Sequence, residues 1–190
     1  MLRLPLRPFP GSPRSPGWPL LVVLLVLGAA LAASSASGPN IGSPPEYAAP
    51  DPPATGAGSA TVLLSADART HPAAPGVLAQ LQRYFDAINA RDHTAWAATV
   101  APERAAEQPQ DVWLAAVDTT LDGTIRIDRI DDLDGGRVLV QVRFVSVQDL
   151  SDAPAAVPAG RICWRASLPM SGSPPLLESG DPGNALAAAC

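Results

Sequence analysis

Apolar positions recur at helical spacing in the first part of residues 77–190. One apolar stripe is formed by Leu78, Leu81, Phe85 and Ile88. A period of about 3.6 residues predicts an amphipathic helix that packs on a core. The stripe breaks at residues 89–91, and Asp92 is placed to cap a second helix, which carries Trp96. Residues 77–100 are therefore predicted as two consecutive helices.

Prolines punctuate the residues that follow. Pro102 is expected to end or kink the second helix, because proline lacks the backbone N–H that a helix interior uses. Pro109 suits the first turn of a third helix, which carries Trp113. Gly123 is expected to end the helical part of the chain.

The hydrophobic period changes to two after Gly123. Ile125 and Ile127 alternate with polar neighbours and predict a strand. The sequence Asp-Gly-Gly at 134–136 predicts a hairpin turn, because glycine readily adopts the positive φ that such turns need. Three further segments are predicted as strands: residues 138–145, 161–168 and 176–179. Helices followed by an antiparallel sheet predict an α+β fold.

The N-terminal part of the chain reads as a membrane-directed leader. Residues 1–19 are rich in proline and hold Arg3, Arg7 and Arg14. Residues 20–36, LLVVLLVLGAALAASSA, carry no charge and fit either an uncleaved transmembrane anchor or the core of a cleaved signal peptide. The long basic leader favours the anchor. Because the arginines stay in the cytoplasm, the rest of the chain is expected outside the membrane.

Residues 37–76 are dominated by proline, glycine, alanine and serine and show no hydrophobic period. This composition predicts a disordered linker between the membrane segment and a domain over residues 77–190. The short apolar stretch TVLLS at 61–65 is compatible with a strand or a docking peptide, but a passive linker is the preferred interpretation.

The charge balance limits the class of partner. All 13 basic residues are arginines, and beyond Ser37 the chain has 10 arginines against 18 acidic residues, a formal charge of −8. Phosphate binding requires clustered basic residues. The overall acidity therefore argues against nucleic acid and against anionic lipid surfaces as partners.

The sequence LQRYFDAINARDHTAWAATV at 81–100 resembles the first two helices of the nuclear-transport-factor-2-like superfamily. This cone-shaped fold is shared with ketosteroid isomerases and polyketide cyclases. The resemblance covers residues 77–190 and implies N-terminal helices packed on a curved antiparallel sheet. More narrowly, the chain is similar to exported or membrane-anchored actinobacterial members of the superfamily that have no assigned activity.

The resemblance also assigns a place to Tyr84. Ketosteroid isomerases use a tyrosine at this position of the first helix to donate a hydrogen bond to the developing enolate. That reaction requires a carboxylate base as well, and residues 101–110, APERAAEQPQ, offer no aspartate that aligns with it. No catalytic residue is therefore assigned, and Tyr84 is interpreted as a core or cavity-wall residue.

Large aromatic residues are the candidates for the lining of a ligand cavity, with the hydrophobic core as the alternative place for them. The candidate lining residues are Tyr84, Trp96, Trp113, Phe144 and Trp164. In the superfamily that the chain resembles, such residues border the mouth of the cone.

Cys163 and Cys190 are the only cysteines of the chain, and both follow the membrane segment. In an oxidising compartment such a pair predicts a disulfide. The bridge would fasten residues 180–190, which show no clear period, to the predicted sheet.

No metal or cofactor site is predicted. His71 and His93, the only histidines, lack the spacing of metal ligands. The aspartates near Gly135 lack the spacing of a calcium-binding loop and are interpreted as a solvated hairpin. No phosphate-binding loop, dinucleotide-binding glycine motif or hydrolase nucleophile motif is present in the sequence.

These observations favour a membrane-anchored extracytoplasmic domain that binds an envelope protein or a small apolar ligand in its cone without catalysis. It is expected to be a single-pass protein of the cell membrane with its C-terminal domain outside, or a secreted protein if the leader is cleaved. The alternatives are an isomerase- or cyclase-type enzyme that uses Tyr84, and a structural accessory subunit of an envelope complex.

Overall fold

The computed structural model describes residues 52–180 and 183–190. Its helices are α1 (Ala66–Arg69), α2 (Ala74–Ala90), α3 (His93–Ala97), α4 (Pro102–Glu107) and α5 (Gln110–Val117). Its strands are β1 (Leu63–Leu64), β2 (Leu121–Leu133), β3 (Arg137–Val147), β4 (Arg161–Ser171), β5 (Leu176–Leu177) and β6 (Ala185–Ala189). None of these helices is both long and apolar enough to cross a membrane. The predicted leader at 1–19 and the apolar segment at 20–36 lie outside the described residues.

The strands form one mixed sheet in the order β1-β2-β3-β4-β5, and β6 also pairs with β4. The predicted α+β class is confirmed, but the prediction that the sheet is antiparallel throughout is wrong, because β1 runs parallel to β2. Parallel neighbours need a long crossover connection, and the helices between β1 and β2 supply it. The remaining strand pairs are antiparallel.

Helix α2 contains the predicted apolar stripe and turns it towards the core. Leu81, Phe85 and Ile88 are buried, and the helix closes at Arg91, whose left-handed φ of 57° ends the hydrogen-bond ladder. Asp92 caps α3, because its carboxylate accepts a hydrogen bond of 2.9 Å from the backbone N–H of Ala95. The two predicted helices and the break between them are therefore confirmed.

The later helices differ from the prediction in their ends. Val100 lies beyond the end of α3 and forms an isolated bridge to Leu177. Pro102 opens α4, and Pro109 precedes the first residue of α5. Gly123 lies inside β2 and not at a helix end, so the prediction that it ends the helical run is wrong: the helices have already stopped at Val117.

The hairpin between β2 and β3 is confirmed. Gly135 and Gly136 have φ of 76° and 74°, a conformation that is costly for other residues. The predicted strand over 138–145 and the one over 161–168 lie within β3 and β4, and Leu176 begins the predicted edge strand as β5.

The end of the predicted linker is folded. The linker was predicted to extend to residue 76, but Val62 is buried, Leu63 pairs with Arg126 of β2, and Ser65 caps α1. Pairing of this short segment with the edge of β2 stabilises a structure that its composition does not reveal. The C-terminal residues also differ from the prediction, because β6 forms where no period was seen.

The core fills the space between the helices and one face of the sheet. Its largest fully buried side chains include Trp96, Phe85, Leu81, Ile125, Ile127 and Met170. Because strand side chains alternate between faces, Val140 and Val142 of β3 point into this core and are buried. The residues that alternate with them, which include Gln141 and Arg143, belong to the opposite face.

Candidate functional site

The face of the sheet opposite the core carries a transverse row of side chains, and we call it the open face. Cross-strand register places one residue from each of five strands in this row: Leu63, Arg126, Arg143, Arg165 and Leu186. The arginines occupy the middle of the row, and an exposed leucine stands at each end. The leucines are 44% and 68% exposed, so apolar surface flanks a cationic centre.

One carboxylate serves two of these arginines. Asp128 lies 3.2 Å from Nε of Arg126 and accepts a hydrogen bond of 2.8 Å from Nη2 of Arg143. The hydrogen bond between Arg143 and Asp128 raises the pKa of the Arg143 guanidinium above the ordinary value for arginine, so Arg143 stays charged. The side chain of Arg165 makes no hydrogen bond or ion pair with any residue in 52–180 or 183–190. Within the described residues, the row therefore carries more positive than negative charge.

A groove of about 780 Å³ runs along the open face over this row. One wall is the segment 52–63, and the other wall is β6, which contributes Leu186 and Ala188. Val145 and Cys163 lie between these walls in the next transverse row. The side chains beside the arginines on this side are therefore apolar.

The wall at 52–63 is fastened to both β2 and β4. Arg161 of β4 donates hydrogen bonds of 2.7 Å and 2.9 Å to the carbonyl oxygens of Pro53 and Gly56. The hydroxyl of Thr124 in β2 donates a hydrogen bond to the carbonyl oxygen of Ala57. The backbone N–H of Thr124 donates a hydrogen bond of 2.7 Å to the carbonyl oxygen of Ser59. Since these contacts span the width of β3, the segment bridges the open face and encloses one side of the groove.

Gly123 permits this close packing. A Cβ atom at Gly123 would lie 2.6 Å from the carbonyl oxygen of Gly58 and 2.7 Å from that of Ala57, which is closer than van der Waals contact allows. A residue without a side chain is therefore required where the wall meets β2.

A second cavity of about 430 Å³ adjoins the first on the other side of the arginine row. The two cavities share Arg143, Arg165 and Leu186. The second cavity is lined in addition by polar residues, among them Asp128, Gln141, Ser167 and Asn184. The arginines thus stand at the boundary between an apolar space and a polar one.

The predicted disulfide is confirmed. Cys163 and Cys190 are bonded, with Cα atoms 5.1 Å apart. Because Cys163 lies on the open face of β4 and Cys190 directly follows β6, the bond fixes β6 beside β4. One wall of the groove is therefore held covalently.

Only two of the five aromatic residues predicted to line a cavity are found at the groove. Phe144 and Trp164 are among the residues that line the groove, and their rings stack at 5.9 Å between centroids. The ring of Phe144 also packs against Phe85 in the core, at 5.1 Å. Because side chains alternate along a strand, both rings lie on the face of Val142, towards the core, and not on the open face with Val145 and Cys163.

Trp96 and Trp113 are core residues. They are 1% and 2% exposed, and their ring centroids lie 5.3 Å apart. Neither lines the groove, so the structure favours the core alternative for both. His93 is half-buried: it packs against both tryptophan rings and lies 3.0 Å from the carbonyl oxygen of Gln108.

Tyr84 also lies away from the groove. Its half-buried side chain packs against the core, and Arg104 donates a hydrogen bond of 3.3 Å to its hydroxyl. The Arg104 guanidinium also stands over the ring, 5.7 Å from its centroid. A cation cannot accept a proton, so this neighbour does not provide the base that isomerase chemistry needs.

Asp122 is a buried acid that sequence reasoning missed. Its carboxylate accepts a hydrogen bond from the Ser146 hydroxyl, and its backbone exchanges two hydrogen bonds with the Asn89 amide, at 2.7 Å and 2.9 Å. Burial raises the pKa of this carboxyl to about 6, and the Ser146 hydrogen bond opposes the rise. Asp122 joins α2 to the start of the sheet and does not line the groove.

Within residues 52–180 and 183–190, no three His, Cys, Asp or Glu side chains are grouped so that they could hold a metal ion. Two of the aspartates near the hairpin are engaged with arginines: Asp128 with Arg126 and Arg143, and Asp131 with Arg129. Comparisons with protein-family models, with curated proteins and with solved structures give no match to this chain.

Proposed function

We propose that this chain is an extracytoplasmic binding domain that takes a small apolar ligand, or the apolar part of one, into the groove on the open face. The observation that carries the proposal is the groove itself: about 780 Å³ of mainly apolar space, within the range of about 300–1,000 Å³ typical of small-molecule sites. The site differs from the expected one, because the core side of the sheet is filled by Trp96, Phe85 and their neighbours.

The disulfide supports the extracytoplasmic location. Structural disulfides persist mainly in oxidising compartments, and Cys163–Cys190 is bonded. The uncharged segment at 20–36 suits a single-pass anchor in the cell membrane, with secretion after cleavage as the alternative. In either arrangement the groove faces the outside of the cell.

Membership of the nuclear-transport-factor-2-like superfamily remains part of the proposal. It is supported by the order of elements, in which α2 and α3 with their break at Arg91 precede the long strands. Register shifts in β2 between Gly123 and Arg126 and between Ile127 and Arg129 also support it, because β-bulges bend a strand and curve its sheet.

A non-catalytic role is proposed because the polar groups that could perform acid–base chemistry are engaged elsewhere. The Tyr84 hydroxyl is paired with Arg104. Asp122 is buried and hydrogen-bonded to Ser146. Neither lies among the residues that line the groove.

The experiment is a titration of the oxidised full chain with N-phenyl-1-naphthylamine, an uncharged probe whose fluorescence rises in apolar surroundings. Saturable binding is expected. Leu186→Asp should weaken it by about tenfold or more, because a bound apolar ligand would cover this exposed leucine. The matched control is Val112→Asp, which changes another exposed apolar residue, 56% exposed on α5, and should leave the affinity unchanged.

A filling variant separates lost volume from added charge. Ala188→Trp keeps the wall apolar but occupies the groove, so it should also weaken binding of the probe. Background binding elsewhere on the chain is common to wild type and variants, so the comparison isolates the groove. Equal affinity in wild type, Leu186→Asp and Ala188→Trp would remove the groove as the binding site.

A further inference from the structure

We infer that the ligand of the groove is a single-chain amphiphile with an anionic head group, a carboxylate or a phosphate, bound by Arg165 beside Arg143, with its chain over the apolar floor. This inference rests on the proposed function above and names the chemical class of the ligand. It is carried by the charge of the arginine row, by the position of that row and by the size of the groove.

The charge of the row is unfavourable without an anion. Arg126 and Arg143 are direct cross-strand partners, and so are Arg143 and Arg165. Like charges that face each other across neighbouring strands destabilise a sheet. One carboxylate, Asp128, compensates Arg126 and Arg143. A bound anion would relieve the remaining repulsion, so the row is complementary to a negatively charged group.

Arg165 is the member of the row that is available to a ligand. Arg161, the other arginine of β4 on this face, is engaged by the carbonyl oxygens of Pro53 and Gly56, and Arg143 is engaged by Asp128. Arg165 is exposed and has no such partner within 52–180 and 183–190. A guanidinium presents parallel N–H groups that match the two oxygens of a carboxylate or a phosphate.

The position of the row implies an amphiphile. On one side of the arginines the groove is bordered by Val145, Cys163 and Ala188. On the other side the adjoining cavity is bordered by polar residues such as Gln141 and Ser167. A ligand with its charge at Arg165 therefore has apolar surface for a hydrocarbon chain on one side and a polar space beside its head group.

Other occupants fit these observations less well. A second copy of this chain, seated face to face on the groove, would bring a second arginine row towards the first. Nucleic acid would meet a chain with a formal charge of −8 beyond Ser37. That overall acidity disfavours extended polyanions, but it does not oppose a single anion at a local cluster of arginines.

The test is competition against the neutral probe on the oxidised full chain, with two ligands of equal chain length. Dodecanoate carries a carboxylate, and dodecanol carries none. Dodecanoate is expected to displace the probe at a concentration about tenfold or more lower than dodecanol, because a charge-assisted hydrogen bond contributes about that much. The preference should decrease as the ionic strength rises.

The matched variants are Arg165→Gln and Arg83→Gln. Arg165→Gln should remove most of the preference for dodecanoate over dodecanol, and Arg165→Lys should keep part of the preference because it keeps the charge. Arg83 is an exposed residue of α2, and Arg83→Gln removes the same formal charge without touching the groove. It should leave the preference unchanged.

The outcomes separate this inference from the proposed function. Equal displacement by dodecanoate and dodecanol would overturn the anionic class and leave the apolar groove in place. An equal loss of the preference in Arg165→Gln and Arg83→Gln would also overturn it. Absence of probe binding would overturn both the inference and the proposed function.

Dodecyl phosphate, tested beside dodecanoate, identifies the head group. Tighter binding of either anion than of dodecanol supports the inference and shows whether the head group is a phosphate or a carboxylate. A stable mass of two chains that excludes the probe would assign the groove to a second copy and overturn it.

Discussion

Arg143 and Arg165 lie directly opposite each other on neighbouring strands β3 and β4, on the open face of the sheet. Such a pair of like charges lowers the stability of the ligand-free sheet. The arrangement therefore exchanges some stability for an anion-binding surface, as functional sites commonly do.

Arg165→Gln should stabilise the ligand-free protein. Removal of one charge from the row is expected to raise the free energy of unfolding by about 0.2–1 kcal/mol at low ionic strength, and by less at high ionic strength. Urea unfolding of wild type, Arg165→Gln and Arg83→Gln measures the effect, with little change expected for Arg83→Gln. A clear loss of stability in Arg165→Gln would mean that Arg165 has a structural partner.

Asp128→Asn should destabilise the protein. Without this carboxylate, Arg126 and Arg143 lose their common partner, and the expected cost is about 1–3 kcal/mol. Asp131→Asn is the control, since Asp131 pairs with the exposed Arg129 and exposed ion pairs contribute little to stability. The cost of Asp128→Asn should also shrink in the Arg165→Gln background. Strictly additive effects in this double-mutant cycle would contradict the coupling of the row.

Gly123→Ala should loosen the groove wall at 52–63. The added methyl group would meet the carbonyl oxygens of Ala57 and Gly58, and overpacking of this kind costs about 1–3 kcal/mol. Hydrogen exchange of the Thr124 amide, which donates to Ser59, should become faster, and binding of the neutral probe should weaken. Gly76→Ala in α2 is the control, because its Cβ meets only ordinary contacts with Pro175. Unchanged exchange at Thr124 would show that the wall does not depend on this contact.

Loss of the disulfide should release β6. The bond closes a loop with a sequence separation of 27 residues, and its removal is expected to lower the free energy of unfolding by about 3–4 kcal/mol. Hydrogen exchange across Ala185–Ala189 should accelerate, and the groove should lose affinity for the probe. The double variant Cys163→Ser/Cys190→Ser should behave like the reduced wild type and should not respond to reductant. Full protection of β6 after reduction would contradict this role of the bond.

Asp122 should contribute a distinct dependence of stability on pH. Burial raises its pKa from the ordinary value of 3.8 to about 6 in the folded protein, so the folded state holds this proton more tightly than the unfolded state. The contribution to stability is therefore largest below pH 3.8. It is lost as the pH rises through about 6, by an amount on the order of 3 kcal/mol.

Denaturant unfolding of wild type and Asp122→Asn across this pH range measures that contribution. The difference between the two stabilities should change between pH 3.8 and about 6 and stay constant at higher pH. Asp149→Asn, at an exposed loop position, is the control and should track the wild type. Parallel curves for Asp122→Asn and wild type would exclude the raised pKa.

Several elements could be predicted because their signal is local. The stripe of α2, the Asp92 cap, the glycine hairpin and the alternation of β3 and β4 depend on residues close in sequence. The cysteine pair was predictable because the chain contains only two cysteines. By contrast, β6 was missed and β1 was only a less favoured interpretation of TVLLS, since Leu63–Leu64 and Ala185–Ala189 become strands only beside the edges of β2 and β4.

The candidate site, like these strands, could not be predicted from the sequence. Each arginine of the row occupies an ordinary polar position in its own strand, and alternation predicts only that Arg143 and Arg165 point away from the core. Their alignment with Arg126 depends on strand order and register, which long-range pairing sets. The aromatic residues show the same limit, because only packing decides that Trp96 and Trp113 are fully enclosed in the core while Phe144 and Trp164 are partly exposed.

The sequence by itself thus determined the α+β class, the main helix and strands, the hairpin and the disulfide, because propensity, periodicity and covalent pairing are properties of nearby residues or of a unique pair. The tertiary structure alone decided that Leu63, three arginines and Leu186 share one row, that the 52–63 segment forms a wall beside it, and that Asp122 is buried. Each of these depends on which distant segments the burial of the core brings together.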